Sequence, residues 1–156
     1  MEPLTPSLIR RYHYYLTYGT YADRKHQISI GEYRKNPNKL GVAVKYIDSK
    51  LDELVRTYEE KTVDLDAILD FHVRFEKIRP FEDYNGRVGR LIMMKECLRH
   101  GIIPFIIDDK HRGEYNKGIK CWSTDSEVLR NACLKVQERF RRQLELQKLL
   151  QRSKSF

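Results

Sequence analysis

The sequence has few of the features that mark membrane, secreted and zinc-binding proteins. It contains no apolar run of about 18 residues, and Met1 to Ser7 lack the charged and apolar blocks of a signal peptide. Cysteine is scarce: Cys97, Cys121 and Cys133 stand far apart and form no CxxC pair or His/Cys cluster. We therefore expect a soluble, cytoplasmic protein with reduced thiols and no membrane partner.

Acidic residues are scarce near the C-terminus. The chain carries a net charge of +8, and the stretch from Leu134 to Phe156 holds seven basic residues, including Lys154, against two acidic ones. A basic segment attracts polyanions, so it is a candidate for binding nucleic acid or an acidic partner. The alternative, which we favour, is the solvated face of a terminal helix.

The 156 residues fit one domain, with a core at about 5–140 and a basic helix end or tail at 141–156. Apolar residues recur at helical spacing along most of the chain, which predicts an all-α fold. Start and stop signals predict helices from a Thr5 cap to Gly19, from Val44 to about Glu60, from an Asp64 cap to about Ile78, from Asn85 to His100, from about Asp109 to Trp122, and from after Asp125 through Leu144.

Between Thr20 and Gly41 this helical pattern breaks. Residues 27–30 alternate weakly between polar and apolar, and Gly31 and the Asn-Pro-Asn sequence at 36–38 are typical of turns. This stretch therefore predicts a short β-hairpin or flap rather than a helix.

The segment from Ile78 to Arg90 has the composition of a site. It combines a helix stop, an acidic pair, a turn and a new helix start, with Arg87 and Arg90 on one face of the first turns. Main-chain N–H groups at a helix start attract anions, so these arginines could cradle a phosphate and Asp83 could hold its Mg²⁺. The same residue types also form ordinary surface ion pairs, and their spacing alone leaves both interpretations open.

This loop resembles the signature HxFx[D/E]GNGRxxR of the Fic family. The matching residues are Pro80, Phe81, Asp83, Asn85, Gly86, Arg87 and Arg90. Further likenesses are the flap residues Gly31-Glu32-Tyr33-Arg34, the helix at 69–75 before the loop, the helix end at 98–101 and Tyr115. The resemblance covers about residues 5–140 and implies a helical domain with a flap.

Most Fic proteins transfer AMP from ATP to a hydroxyl of a target protein. By this resemblance Asp83 would hold Mg²⁺ on the nucleotide, and Tyr84, Asn85, Gly86, Arg87 and Arg90 would bind its phosphates. The flap, Gly31 to Arg34, would pair with an extended stretch of the target.

The resemblance also implies inhibition by a helix with the pattern [S/T]xxxE[G/N]. Ser49/Glu53 and Ser123/Glu127 match only its first part, and we interpret both as chance. Because the chain starts near the first core helix, we expect a small inhibitory partner protein to supply this helix, or the site to need none.

Two positions depart from the family pattern. Arg79 stands where the family has its catalytic histidine, and a guanidinium effectively never gives up its proton to become a base. General-base help is worth roughly a hundred- to ten-thousand-fold in rate. Tyr84 replaces a glycine, and its ring would either fill phosphate space or pack locally; a positive φ there would cost about 1–2 kcal/mol. His72 lies on nearly the same helix face as Arg79, and we expect it to pack inside the domain.

Three hypotheses follow from these residues. The one we favour is a degenerate Fic domain that keeps some binding of ATP and Mg²⁺ but has lost AMP transfer. The second is an active transferase with altered phosphate-group chemistry, in which Arg79 clamps developing charge. The third is a basic module that binds nucleic acid through its C-terminal helix.

Overall fold

A computed structural model describes residues 1–153 of the chain, so Lys154 of the basic tail lies outside the described residues. Within this range the chain forms seven α-helices and one 3-10 turn. They are α1 Pro6–Thr17, α2 Tyr21–Arg24, the 3-10 turn Val44–Tyr46, α3 Ile47–Glu59, α4 Leu65–Ile78, α5 Asn85–Arg99, α6 Arg112–Cys121 and α7 Glu127–Ser153. The prediction of an all-helical fold is confirmed. None of the described helices is both long and apolar enough to cross a membrane.

The helix ends follow the signals in the sequence. The side chain of Thr5 accepts the main-chain N–H three residues further on at 3.1 Å, and Asp64 does the same at 2.8 Å. These bonds satisfy donors that a helix start leaves unpaired. Gly19 after α1 and Gly101 after α5 adopt φ of 72° and 69°, a left-handed backbone that glycine takes without a Cβ clash.

The core forms around α4. This helix packs against α3 on one side and α5 on the other, while α1 packs against α5 and α6 packs against α7. Leu69 and Phe75 of α4 are completely buried, and so is Phe81 in the loop between α4 and α5. Burying such a side chain is worth roughly 1.5–3 kcal/mol, so this loop is anchored in the core by one of its own residues.

A buried ionic network joins α3 to the C-terminal half of α5. Glu96 is 1% exposed, accepts the Tyr58 hydroxyl at 3.0 Å and meets the Lys95 ammonium at 2.5 Å. Arg99 lies 3.3 Å from the same carboxylate and also donates two hydrogen bonds to Glu59, at 2.6 and 2.8 Å. The network therefore fixes the packing of two helices at the end of α5 that lies away from the 78–84 loop.

The prediction of a β-hairpin is wrong, because residues 1–153 contain no strand. Residues 27–42, here called the flap segment, direct several of their main-chain donors to other parts of the fold. The Ser29 N–H bonds to the Glu82 carboxylate at 3.0 Å, and the Gly31 N–H bonds to Nδ1 of His13 at 3.0 Å. A hairpin requires such donors to meet the facing strand, so these outside partners hold the segment as an irregular loop instead.

The last helix continues well beyond the core. The sequence predicts a long helix that begins after Asp125, with a helix end or a tail at 141–156, and α7 is helical as far as Ser153. Its buried residues end at Gln137, and further along Leu146, Leu149 and Leu150 are 60%, 60% and 61% exposed. Beyond Leu144 the described residues of α7 are all exposed, so this part continues the helix without packing against the core.

Candidate functional site

The loop between α4 and α5 begins and ends with left-handed backbone at residues other than glycine. Arg79 ends α4 at φ 48° and ψ 64°, and its N–H still bonds to the Phe75 carbonyl at 3.1 Å. Tyr84 precedes α5 at φ 64° and ψ 6°. Each such residue costs about 1–2 kcal/mol, so the surrounding contacts must hold the loop in this shape.

Asn85 supplies the contacts that hold the loop. Its side chain is 2% exposed, its carbonyl oxygen accepts the Phe81 N–H at 2.9 Å, and its amide donates to the Phe81 carbonyl at 2.8 Å. This residue was predicted to bind phosphate, but its side chain faces the loop's own main chain. Its remaining contribution to a ligand is the main-chain N–H.

The start of α5 offers free main-chain donors. The helix has no side-chain cap and no acidic residue in its first turn. Its first main-chain bond runs from the Val88 N–H to the Tyr84 carbonyl at 2.9 Å, which leaves the N–H groups of residues 85–87 without a main-chain acceptor. Such donors, together with the positive end of the helix dipole, favour an anion.

Arg90 and Glu76 lie over this first turn because Gly86 has no side chain. A Cβ at Gly86 would stand 3.1 Å from a terminal nitrogen of Arg90 and 3.4 Å from a carboxylate oxygen of Glu76. Burial raises the pKa of Glu76, and the nearby Arg79 and Arg90 oppose that rise. The Nε atom of Arg79 is buried and has no hydrogen-bond partner in residues 1–153. Two guanidinium groups therefore face one carboxyl, an excess of positive charge that suits an anion.

Sequence reasoning missed Glu76. The sequence did contain a signal for Glu76, because it precedes Arg79 by three positions and residues so spaced lie on the same face of a helix.

Tyr84 packs locally, which decides between the two alternatives left open for its ring. The ring meets His13 edge-on, with centroids 6.4 Å apart at 89°, and the Arg87 guanidinium lies 4.2 Å from the ring centre. Asp83 is exposed and accepts the Tyr84 N–H at 2.6 Å. Arg87 and the proposed metal ligand Asp83 are thus at the surface of the loop, while Arg79 and Arg90 lie deeper.

His13 is a second residue that sequence reasoning missed. It is completely buried, stacks on Phe81 with centroids 4.0 Å apart, and accepts the Gly31 N–H through Nδ1 at 3.0 Å. Burial lowers its pKa to about 4. A signal existed, because His13 follows the buried Ile9 by four positions on α1. The histidine joins α1, the flap segment and the loop, and it is not available as a replacement base.

His72 packs inside the domain, as predicted. It is 1% exposed and its Nε2 is hydrogen-bonded to the Tyr115 hydroxyl. Burial, with help from the charge of Arg90, lowers its pKa to about 4. His72 therefore serves the core.

The predicted docking residues of the flap divide into inward and outward groups. Arg34 is 2% exposed, its N–H bonds to the Pro80 carbonyl at 2.8 Å, and its Nε donates to the Arg79 carbonyl at 2.8 Å. Tyr33 is half-buried against Phe81, whereas Glu32 is exposed. Arg34 consequently braces the loop from within, and Glu32 is the member of the group that faces outward.

Comparisons with known proteins find one family and one fold. The model of the Fic/DOC family matches residues 3–97, which include the flap segment and the loop. The solved structure of Fic-1 from C. elegans is similar over 94% of this chain and 45% of that one, with a TM-score of 0.77 and 20% identity. The chain thus spans under half of that structure, and the likeness shows a shared fold. A search of curated proteins finds no match.

Proposed function

Since this chain belongs to the Fic/DOC family, we propose that its α4–α5 loop binds ATP with Mg²⁺ and that AMP transfer is lost or greatly reduced. The observation that carries the proposal is the position of Arg79. It stands where the family has its catalytic histidine, beside Arg90 and Glu76. A guanidinium in this place attracts phosphate but does not accept a proton from a hydroxyl.

Phosphate binding is supported by three features that meet at one place. The start of α5 has uncapped N–H groups, Gly86 has no side chain over them, and the Arg90 guanidinium lies in the room that this leaves. Arg87 extends the positive charge to the surface. Asp83 is the exposed carboxylate beside this site, and its chemistry fits a metal ion bound to phosphate oxygens.

Loss of transfer is supported by the two buried histidines near the loop, neither of which replaces the base that Arg79 cannot supply. His13 is buried and bonded to the flap segment, and His72 is buried and bonded to Tyr115. A general base must reach the hydroxyl that it deprotonates, and neither ring is open to a target protein. Binding without turnover is therefore the function that we propose.

An active transferase with altered chemistry is the second candidate, and Glu76 favours it. The pKa of this carboxyl is raised by burial, which brings a carboxylic acid closer to the range of a useful base. In this case Arg79 would clamp charge that develops on the transferred group. A target protein would meet the exposed Glu32 side of the flap segment, and a small inhibitory partner would act on the same loop.

Two measurements test the proposal. Calorimetry of the protein with ATP and Mg²⁺ should show binding that weakens at least about tenfold in Arg90→Ala, since hydrogen bonds to charged groups are worth about 1.5–3 kcal/mol. The control is Arg56→Ala, which removes an exposed arginine that pairs with Glu60 on α3. A wild-type protein that binds no nucleotide would refute the binding claim.

The second measurement supplies radiolabelled ATP and a cell lysate as the source of targets. We expect no labelled protein above background. Label that depends on both Asp83 and Arg87 would reject the loss of transfer and favour the second candidate.

A further inference from the structure

We propose that the outer face of α1 and α2 binds single-stranded nucleic acid by stacking bases on tyrosine rings. This face, here called the tyrosine platform, consists of Tyr14, Tyr15, Tyr18 and Tyr21. The four residues fall within eight positions of the chain and are 39%, 69%, 65% and 66% exposed. Burying aromatic rings is favourable, so such a group at the surface indicates a partner.

The rings already form the beginning of a stack. Tyr14 and Tyr18 lie nearly parallel, with centroids 5.3 Å apart at 21°, and Tyr15 meets Tyr14 edge-on at 5.7 Å. Tyr14 also contacts the flap segment: a Cβ added at Gly31 would lie 3.2 Å from the Cβ of Tyr14. Tyr14 is thereby held in place, and the exposed ring of Tyr18 can continue the stack with a base.

Three exposed cations are close to the platform along the chain. Arg24 and Lys25 form no ion pair within the described part of the chain, and the Lys25 ammonium lies 5.9 Å from the centre of the Tyr21 ring. Arg10 donates a hydrogen bond to the Gly31 carbonyl at 2.9 Å. The only acidic residue between Arg10 and Gln27 is Asp23, and its carboxylate accepts the Gly19 N–H at 2.7 Å. Positive charge beside open aromatic faces is the combination that binds single strands without sequence preference.

The composition of the face distinguishes this ligand from others. An acidic protein segment would use the cations but has no need of open ring faces, and a hydrophobic helix would need aliphatic side chains that this face lacks. The basic end of α7 presents the opposite case, because its exposed apolar residues are Leu146, Leu149 and Leu150. Aromatic rings are what bases stack on, so the platform suits nucleic acid better than the C-terminal helix does.

The test is fluorescence anisotropy of the whole chain with a labelled oligothymidylate of about 16 nucleotides. We expect binding that weakens with salt, and a loss of about tenfold or more in the double variant Tyr15→Ala/Tyr18→Ala. Tyr18→Trp should retain the affinity because it keeps a stacking ring. The control is Tyr46→Ala, which removes an exposed ring outside the platform. Tyr46 is 50% exposed, and the Lys45 ammonium lies 4.9 Å from the centre of its ring.

Several outcomes would overturn this inference. They are no binding at low salt, equal binding to a duplex of the same length, equal binding to a poly-glutamate peptide, or a double variant that binds like wild type. Equal binding to the peptide, or a double variant that binds like wild type, would mean that charge alone attracts the oligonucleotide. Because Tyr15 and Tyr18 are exposed, circular dichroism of the variants should match wild type. ATP binding at the α4–α5 loop is measured separately, so either idea can fail without the other.

Discussion

Arg79 and Tyr84 stand at the two ends of the α4–α5 loop, and both hold left-handed backbone, at φ 48° and 64°. They are also the two residues that depart from the family signature. The loop keeps its path although both positions disfavour it, because Phe81 is buried in the core and Asn85 bonds to its main chain. Contacts between the two ends of the loop therefore hold its left-handed backbone.

Arg79→His should produce AMP transfer. The imidazole can accept a proton where the guanidinium cannot, and we expect a gain of roughly a hundred- to ten-thousand-fold in the labelling of lysate proteins by radiolabelled ATP. Arg79→Gln is the control, since it also removes the charge but supplies no base. Equal labelling by the two variants would show that the arginine only blocked the site.

Tyr84→Gly and Tyr84→Ala should differ in stability. Both remove the ring that contacts His13 and Arg87, but only glycine relieves the left-handed backbone. We expect the glycine variant to be more stable than the alanine variant by about 1–2 kcal/mol in urea unfolding. If alanine is equal or better, the backbone at this position is not strained.

Glu76→Gln should strengthen ATP binding. The Glu76 carboxyl lies near Arg79 and Arg90. Replacing it with a neutral amide therefore increases the positive potential at the start of α5. We expect binding at least roughly tenfold tighter by calorimetry, because the Glu76 carboxylate lies over the first turn of α5 and repels a phosphate there. Glu53→Gln, on the exposed face of α3, is the control and should leave the affinity unchanged. Weaker binding in the Glu76 variant would assign this carboxyl a direct part in holding the ligand.

The free energy of unfolding should fall as pH falls from about 6.5 to about 4. His13 and His72 have pKa values lowered to about 4 in the fold, against 6.5 for a free histidine. The unfolded chain therefore takes up protons first, so stability is complete above pH 6.5 and is lost as pH drops through this window. Each histidine accounts for roughly 3 kcal/mol.

Denaturant unfolding at several pH values in this range measures the slope of the free energy of unfolding against pH. His72→Gln should reduce it by about half, because one of two buried titrating groups is gone. His26→Asn changes an exposed histidine and should leave the slope as it is. A slope that both variants share with wild type would place the pH dependence in other groups.

Glu96→Ala should destabilise the fold strongly. The change leaves the buried Lys95 ammonium and Arg99 without their shared carboxylate, and breaking a buried pair in this way costs about 3–5 kcal/mol. Glu60→Ala, which breaks an exposed pair with Arg56, should cost less than about 1 kcal/mol. Thermal unfolding of both variants gives the comparison, and similar losses would contradict the role assigned to the network.

The helices could be predicted well because their signals are local. The caps at Thr5 and Asp64 and the glycines after α1 and α5 act within one turn of the residues that they affect. The flap segment was predicted wrongly because its partners are distant in sequence. Ser29 bonds to Glu82, 53 positions away, and nothing near Ser29 indicates that partner.

By itself, the sequence determined the helical fold, the family, the position of the loop and the presence of Arg79 at its start. These depend on residue types and on spacings within a few turns. Tertiary structure alone decided that Asn85 faces its own loop, that Glu76 and Arg90 both lie over Gly86 and that His13 is bonded to the flap segment. Those facts depend on contacts between residues that are far apart in the sequence. Such contacts are set by the packing of the helices and loops, and local sequence patterns do not reveal them.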